Sequence, residues 1–171
     1  MGGGLRIRPE RPGDEEAIHD LTARAFETMT YSSGTEPAII RALRGSGNLA
    51  LSLVAEQDGR VVGHVAFSPV RIGDVSDGWF GLGPISVMPE LQRHGIGKLL
   101  IREGLDRLKE RNANGCALIG DPDVYRSSGF TSDGALVYEG VDGKYVQRIA
   151  FSAEEPSGHL TFSPAFDVKA P

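Results

Sequence analysis

The stretch LQRHGIGKLL, residues 91–100, constrains the fold more than any other part of the chain. Gly95 and Gly97 stand one residue apart at the point where an apolar helical pattern begins. That pattern runs on through GKLLIREGLDRLKERNA and predicts the longest helix of the protein. Glycine lacks a Cβ atom, so it permits a left-handed turn or a very close approach to the backbone. The pair therefore predicts a strand-to-helix junction that either turns sharply or holds a ligand.

Capping signals predict two helices ahead of this junction. Asp14 is the expected N-cap of the first helix. Thr35 is the expected N-cap of the second helix, which Gly45 is expected to end.

Turn signals place the strands. Asp58-Gly59 lies between two β-rich runs and predicts a hairpin. Pro84 cannot donate a ladder hydrogen bond, so it predicts a bulge or a sheet edge in the strand that ends at Met88. The other extended or short helical segments are LRIRP near the start, Cys116–Gly120, DVYRSSGF, ALVYEG, KYVQRIAFS and HLTFSPAF. Their order predicts an α/β fold with one mixed, mostly antiparallel central sheet flanked by helices.

Length and composition narrow the class of protein. The chain has 171 residues, which favours a single domain, and a net charge of −5, which argues against a general nucleic-acid-binding protein. An apolar run approaching the roughly 18 residues of a membrane span is absent from the sequence. Cys116 is the one cysteine, so an intrachain disulfide is excluded and a reducing, cytoplasmic location is expected. The four histidines show no metal-ligand spacing, and no metal is expected.

Two nucleotide-binding motifs fit the glycine pair poorly. A dinucleotide fingerprint needs Gly or Ala where Leu100 stands, although Asp121 lies at the spacing of the ribose-binding acid. A nucleotide-triphosphate P-loop needs Gly where Gln92 stands, and Ser or Thr where Leu99 stands.

Two other interpretations of the pair stay open on spacing alone. The free N–H groups of the first helical turn and the helix macrodipole can hold an anion, with Arg93, His94 and Lys98 adding positive charge. Alternatively, the glycines serve only the φ angles of a turn.

The residues around the pair resemble one known family. Gln92-Arg93-His94-Gly95-Ile96-Gly97 resembles the Q/R-x-x-G-x-G/A acetyl-CoA signature of the GNAT family of N-acetyltransferases. VVGHVAFSPV, LGPISVMPELQRHGIGKLLI and DVYRSSGF follow one another as that family's central strands, cofactor helix and tyrosine segment do. The resemblance covers about residues 5–151 and is closest to a bacterial subgroup of predicted small acetyltransferases.

The resemblance implies a GNAT-like acyl-CoA N-acyltransferase fold and an acetyl-CoA site. The strand Leu82–Met88 is expected to splay from Cys116–Gly120, leaving backbone groups near Ile85, Ser86 and Val87 for the pantetheine arm. The diphosphate is expected on the N–H groups of the junction. The residues implied to bind the cosubstrate there are Gln92, Arg93, His94, Gly95, Ile96, Gly97 and Lys98.

The resemblance also implies direct acetyl transfer to an amine in a ternary complex. Tyr125 matches the family tyrosine near the thioester sulfur, and a phenol with a pKa near 10 can protonate a departing thiolate. Glu36 and His64 are alternative general bases, with water as a third. A helix-start role for Glu36 and a structural role for His64 are the competing interpretations.

The sequence leaves the acceptor open as a small-molecule or peptide amine. A non-catalytic acyl-CoA-binding module is the alternative function. Residues 152–171 are expected to cover the acceptor pocket, extend the sheet or form the edge of a homodimer.

Overall fold

A computed structural model of the protein describes residues 4–30 and 32–168. The strands are β1 Arg6–Pro9, β2 Leu51–Gln57, β3 Arg60–Pro69, β4 Arg71–Ile72, β5 Trp79–Val87, β6 Gly115–Ile119, β7 Leu136–Val137, β8 Val146–Ala150 and β9 Gly158–Thr161. The α-helices are α1 Glu15–Glu27, α2 Glu36–Ser46, α3 Ile96–Glu110 and α4 Pro122–Tyr125. Short 3₁₀ turns occupy Pro89–Leu91, Arg126–Ser128, Gly143–Tyr145 and Pro164–Asp167.

The central sheet has six strands in the order β1-β2-β3-β5-β6-β8. Each neighbouring pair is antiparallel except β5–β6, which is parallel because α3 crosses between them. The predicted mixed, mostly antiparallel sheet is therefore confirmed. Asp58 and Gly59 have φ angles of 53° and 77° and form the predicted hairpin turn between β2 and β3.

Helices cover the two faces of the sheet. On one face, α3 packs Leu100, Gly104 and Leu108 toward Phe67 of β3. Because strand residues alternate between faces, Ala66 points to the opposite face, where it packs against Ile39 and Leu43 of α2. The α1–α2 pair therefore lies across the sheet from α3.

A second, three-stranded sheet differs from the single sheet expected from the sequence. Its order is β4-β9-β7, so β7 leaves the central sheet. This small sheet packs Ile72, Leu136 and Leu160 against Trp79 and Ala117 of the central sheet. Of the three roles expected for residues 152–171, extension of the central sheet is wrong. The following turn, Pro164–Asp167, packs Ala165 against α2, and residues 169–171 lie outside the described part.

One predicted helix boundary and one predicted cap differ in the structure. Asp14 occupies the N-cap position of α1, but its carboxylate accepts hydrogen bonds from Arg8 and from the Arg11 N–H instead of capping the helix. The helix α2 continues through Gly45 and ends at Gly47, whose φ of 78° provides the left-handed cap. Gly45 keeps helical geometry, and the second glycine two residues later supplies the stop.

Gly104 provides a test of the packing between α3 and the sheet. A Cβ atom at this position would overlap the Phe67 ring, so Gly104→Ala should lower the free energy of unfolding. Overpacking of a core costs about 1–3 kcal/mol, which exceeds the gain of about 1 kcal/mol in helix propensity. Urea unfolding measures the difference. Gly45→Ala is the matched control, because its Cβ would meet no atom within 4 Å. A Gly104→Ala protein as stable as the control variant would contradict this packing.

Candidate active site

The strands β5 and β6 pair for only part of their length. Their register runs from Trp79–Gly115 to Gly81–Ala117 and stops there, although both strands continue. On the other side of β5, Val65 and Phe67 of β3 face Ile85 and Leu82. Two steps along β3 thus match three steps along β5, which is a bulge at Gly83-Pro84. The predicted irregularity at Pro84 is confirmed as a bulge, and it lies where β5 has left β6 and is paired only with β3.

The backbone of β5 beyond the bulge faces the gap left by this splay. The Met88 N–H donates to the Val62 carbonyl over 2.8 Å, so the alternation of an antiparallel ladder makes His64 and Ser86 the next bonded pair. The backbone groups of Ile85 and Val87 then point away from β3. The Gln92 side-chain amide already donates to the Val87 carbonyl over 3.1 Å. Of the three predicted residues, Ile85 and Val87 present backbone to the gap, while Ser86 directs its backbone to β3.

The N-terminus of α3, called the helix mouth below, lies beside the same gap. Gly95 is the N-cap residue with φ 90°, which strains any residue with a side chain. Gly97 has helical geometry, and a Cβ there would have its nearest contact with Val87 Cγ2 at 3.9 Å. Gly95 is therefore required by the turn itself, whereas the packing of the protein does not require glycine at position 97.

Charge distinguishes this helix mouth from the other two long helices. The first turns of α1 and α2 carry acidic residues, as the macrodipole favours, but the first turn of α3 carries none. Arg93, His94 and Lys98 are exposed around it, and Ile96 is buried below. The N–H groups of the first turn have no acceptor within the helix. This junction fits an anion.

Tyr125 lies on the β6 side of the gap. It ends α4, and its ring lies over Gly120 at the end of β6, where a Cβ would come within 2.6 Å of the ring Cε2. The ring also packs edge-to-face on Phe130 at a centroid distance of 6.2 Å. Asp121 caps α4 by accepting the Asp123 N–H over 2.9 Å. The cap and the glycine fix the tyrosine beside the gap.

The two candidate bases lie in different surroundings. Glu36, in the first turn of α2, accepts a hydrogen bond from Ser32 Oγ over 2.7 Å and is engaged with the loop before the helix. His64 is fully buried on β3, on the face opposite α3. Burial lowers the pKa of His64 to about 4; the charge of Arg44 acts in the same direction, and Glu10 and Asp14 oppose it.

His64 also has partners that the sequence did not indicate. Its Nε2 lies 2.8 Å from Ser52 Oγ, and Ser52 Oγ donates to Glu10 Oε1 over 2.7 Å. These residues come together only through the pairing of β1, β2 and β3, so spacing along the chain carried no signal for them.

Comparison with known proteins identifies the family. Residues 15–130 match the model of the acetyltransferase (GNAT) family. The chain belongs to the GNAT family of acetyltransferases. It is 38% identical over 127 residues to the uncharacterized N-acetyltransferase YhbS of Escherichia coli (strain K12), covering 74% of this chain and 73% of that protein.

Two crystal structures resemble this GNAT acetyltransferase over nearly its whole length. A GNAT family acetyltransferase from Brucella melitensis, in complex with acetyl-CoA, is 45% identical with a TM-score of 0.87, covering 96% of this chain and 99% of that chain. YhbS from Escherichia coli, in complex with CoA, is 30% identical with a TM-score of 0.89, covering 97% and 93%. The GNAT-like fold expected from the sequence is confirmed.

Two negative observations apply to residues 4–30 and 32–168 of the GNAT chain. Within these ranges, no three side chains of His, Cys, Asp or Glu are grouped so as to hold a metal ion. Within the same ranges, each helix is too short or too polar to cross a membrane.

His64 makes the stability of the GNAT domain depend on pH. The unfolded chain takes up a proton near pH 6.5, while the native chain does so only near pH 4. Stability from the neutral imidazole is fully present above pH 6.5 and is lost as the pH falls toward 4. The expected loss is about 3 kcal/mol. Urea unfolding between pH 4 and pH 7 should show this slope, and His64→Gln should reduce it. His159→Gln, which removes an exposed imidazole, is the control; an equal slope in wild type and His64→Gln would contradict the assignment.

Proposed function

We propose that this protein transfers the acetyl group of acetyl-CoA to the amine of a small molecule or peptide, by direct attack in a ternary complex. The whole chain, residues 1–171, acts as one N-acetyltransferase domain in this proposal. The observation that carries it is the meeting of an acid-free helix mouth with the splay between β5 and β6. The relatives bound to acetyl-CoA and to CoA support the same cosubstrate.

The helix mouth is the proposed diphosphate site. The N–H groups from Arg93 to Lys98 donate to the phosphate oxygens, and the macrodipole adds about half a positive charge. Arg93, His94 and Lys98 add side-chain charge. Gly95 and Gly97 keep the approach open. Gln92 contributes by tying the loop to the Val87 carbonyl, which holds the mouth against β5.

The splay is the proposed site of the pantetheine arm. Amide groups of this arm pair with the backbone of Ile85 and Val87 in place of a neighbouring strand. This pairing aligns the pantetheine arm with β5 and directs the thioester toward the bulge. Tyr125 then faces the thioester from the β6 side of the gap. The buried side chain of Ser86 lies on the face of the sheet opposite α3, the same face as His64.

Acetyl transfer to an amine requires a neutral nucleophile and a proton for the departing thiolate. Tyr125 is the proposed general acid, because a phenol remains protonated at neutral pH and lies on one wall of the splay. Glu36 and His64 are the proposed general bases between which experiment must decide. Holding both reactants in the gap removes part of the entropic barrier.

Gly97→Leu tests the diphosphate site. The fold tolerates a side chain at this position, so thermal stability should be kept, while the dissociation constant for CoA should rise at least about ten-fold, or about 1.4 kcal/mol. Isothermal titration calorimetry measures the affinity. Gly97→Ala should bind nearly as wild type, and Gly45→Leu, at another open helix position, should have no effect. Tight CoA binding by Gly97→Leu would remove the helix mouth from the site.

Tyr125→Phe tests the chemistry. Loss of the phenol should lower kcat by about ten- to a thousand-fold while the affinity for CoA stays unchanged. Thiol release from acetyl-CoA with a panel of amines gives kcat, and Tyr138→Phe is the control because its ring packs on Phe162 in the other sheet region. Unchanged turnover would remove Tyr125 from the mechanism. Tight acetyl-CoA binding by the wild type without thiol release for any amine would instead favour the acyl-CoA-binding module.

A further inference from the structure

A chain of four polar side chains runs from the buried His64 to the surface. His64 Nε2 contacts Ser52 Oγ at 2.8 Å, and Ser52 Oγ donates to Glu10 Oε1 at 2.7 Å. Arg44 then holds both Glu10 oxygens, with Nε donating to Oε2 at 3.0 Å and a terminal nitrogen donating to Oε1 at 2.9 Å. Glu10, Ser52 and Arg44 line an open cavity of about 320 Å³. The chain thus joins α2 and the end of β1 to the middle of β3.

The hydrogen-bond directions in this chain determine the tautomer of His64. Burial alone would raise the pKa of Glu10, but the hydrogen bonds from Arg44 and Ser52 and the charge of Arg44 lower it below its ordinary value. An ionised carboxylate only accepts, so Ser52 must give its single hydroxyl proton to Glu10. Ser52 can then only accept from His64. The imidazole therefore carries its proton on Nε2 and a lone pair on Nδ1.

The residue that carries this lone pair is one strand away from the proposed transfer site, because β3 pairs with β5. Among the described residues, Nδ1 of His64 and Oγ of Ser86 are both buried without a hydrogen-bond partner. His64 and Ser86 are directly opposite in the β3–β5 ladder, so both side chains project from the same face. Ser86 stands between Ile85 and Val87, whose backbone groups face the splay. A buried acceptor without a partner costs about 1–3 kcal/mol, so this position favours a donor from substrate or water.

We propose that Nδ1 of His64 receives the proton of the attacking amine, and that Ser52 and Glu10 are positioning residues that hold His64 in the receptive tautomer. This inference rests on the proposed N-acetyltransfer. The amine N–H bond breaks, one water molecule between His64 and Ser86 takes that proton, and the same water gives another proton to Nδ1. After the product leaves, the imidazolium gives its Nδ1 proton back to water, and the phenolate that Tyr125 became when it protonated the thiolate takes one proton from water, so both groups are restored.

The surroundings suit a transient proton acceptor. Burial and the charge of Arg44 lower the pKa of His64, so the imidazole is neutral at neutral pH and its lone pair is available when substrate binds. The negative charge of Glu10, two hydrogen bonds away, offsets part of the cost of the imidazolium as it forms. Arg44 keeps Glu10 ionised and oriented.

The first test is spectroscopic and uses the whole chain labelled with ¹⁵N-histidine. The wild-type spectrum should show His64 protonated on Nε2, with the signal assigned by its loss in His64→Gln. Ser52→Ala should abolish the single fixed tautomer. A His64 protonated on Nδ1 in the wild type would overturn the proposal.

The second test is kinetic. Glu10→Gln and Ser52→Ala should each lower kcat for thiol release by about ten- to a hundred-fold, with the KM for acetyl-CoA unchanged. Ser52→Thr, which keeps the hydroxyl, should recover most of the activity. Glu56→Gln is the matched control. Glu56 also accepts hydrogen bonds from an arginine, Arg8, on the same side of the sheet, but it has no part in the hydrogen-bonded series that leads to His64.

The outcomes separate this inference from the proposed function. If the wild type is active and both Glu10→Gln and Ser52→Ala have the wild-type kcat, the inference is overturned and the proposed function stands. A wild type that binds CoA but releases no thiol with any amine overturns both. If Ser52→Ala does not fold, Glu10→Gln and the Ser52→Thr comparison decide. The proposal is supported if kcat falls in Glu10→Gln and Ser52→Ala but not in Glu56→Gln, and if the wild type shows the Nε2 tautomer.

Discussion

The structure depends on the three residue pairs that join β5 to β6 before the two strands separate. Parallel strands normally keep pairing because unpaired backbone groups are costly, so a separation inside a sheet needs a cause and a compensation. The cause is the bulge at Gly83-Pro84, which lets β5 stay paired with β3 while its register shifts. The proposed compensation is the amide-rich arm of the cosubstrate. On this view the fold keeps one strand position open for a ligand.

The helix α3, which follows β5, leaves a second requirement to a ligand: the negative charge that its N-terminus favours. A helix mouth attracts negative charge, and α1 and α2 satisfy theirs with glutamates of their own. The first turn of α3 carries no acidic residue, and the exposed Arg93, His94 and Lys98 flank it beside the splay. Gly95 serves the turn, whereas Gly97 meets no steric need of the protein. The two glycines therefore have different reasons to be present, and only the second points to a ligand.

Local signals predicted much of this architecture. The Asp58-Gly59 turn, the amphipathic α3 and the irregularity at Pro84 depend on a few neighbouring residues, so the sequence could reveal them. One local signal was misleading, because Arg8 and the Arg11 N–H take the hydrogen bonds of the Asp14 carboxylate that was expected to cap α1. The second sheet was missed because β4 and β7 have two residues each, too few for any periodicity. For the site, the glycine motif predicted the helix mouth, but the partners of His64 depend on strand register.

The insertion of β9 between β4 and β7 has a consequence for the integrity of the small sheet. Neither of these two-residue strands pairs with the other, and each meets the small sheet only through residues 158–161. Residues 158–161 follow every strand of the central sheet in the chain, so the small layer lacks its middle member until this segment docks. The cover over Trp79 and Ala117 therefore depends on one four-residue strand, and loss of that strand's docking would uncover this part of the core.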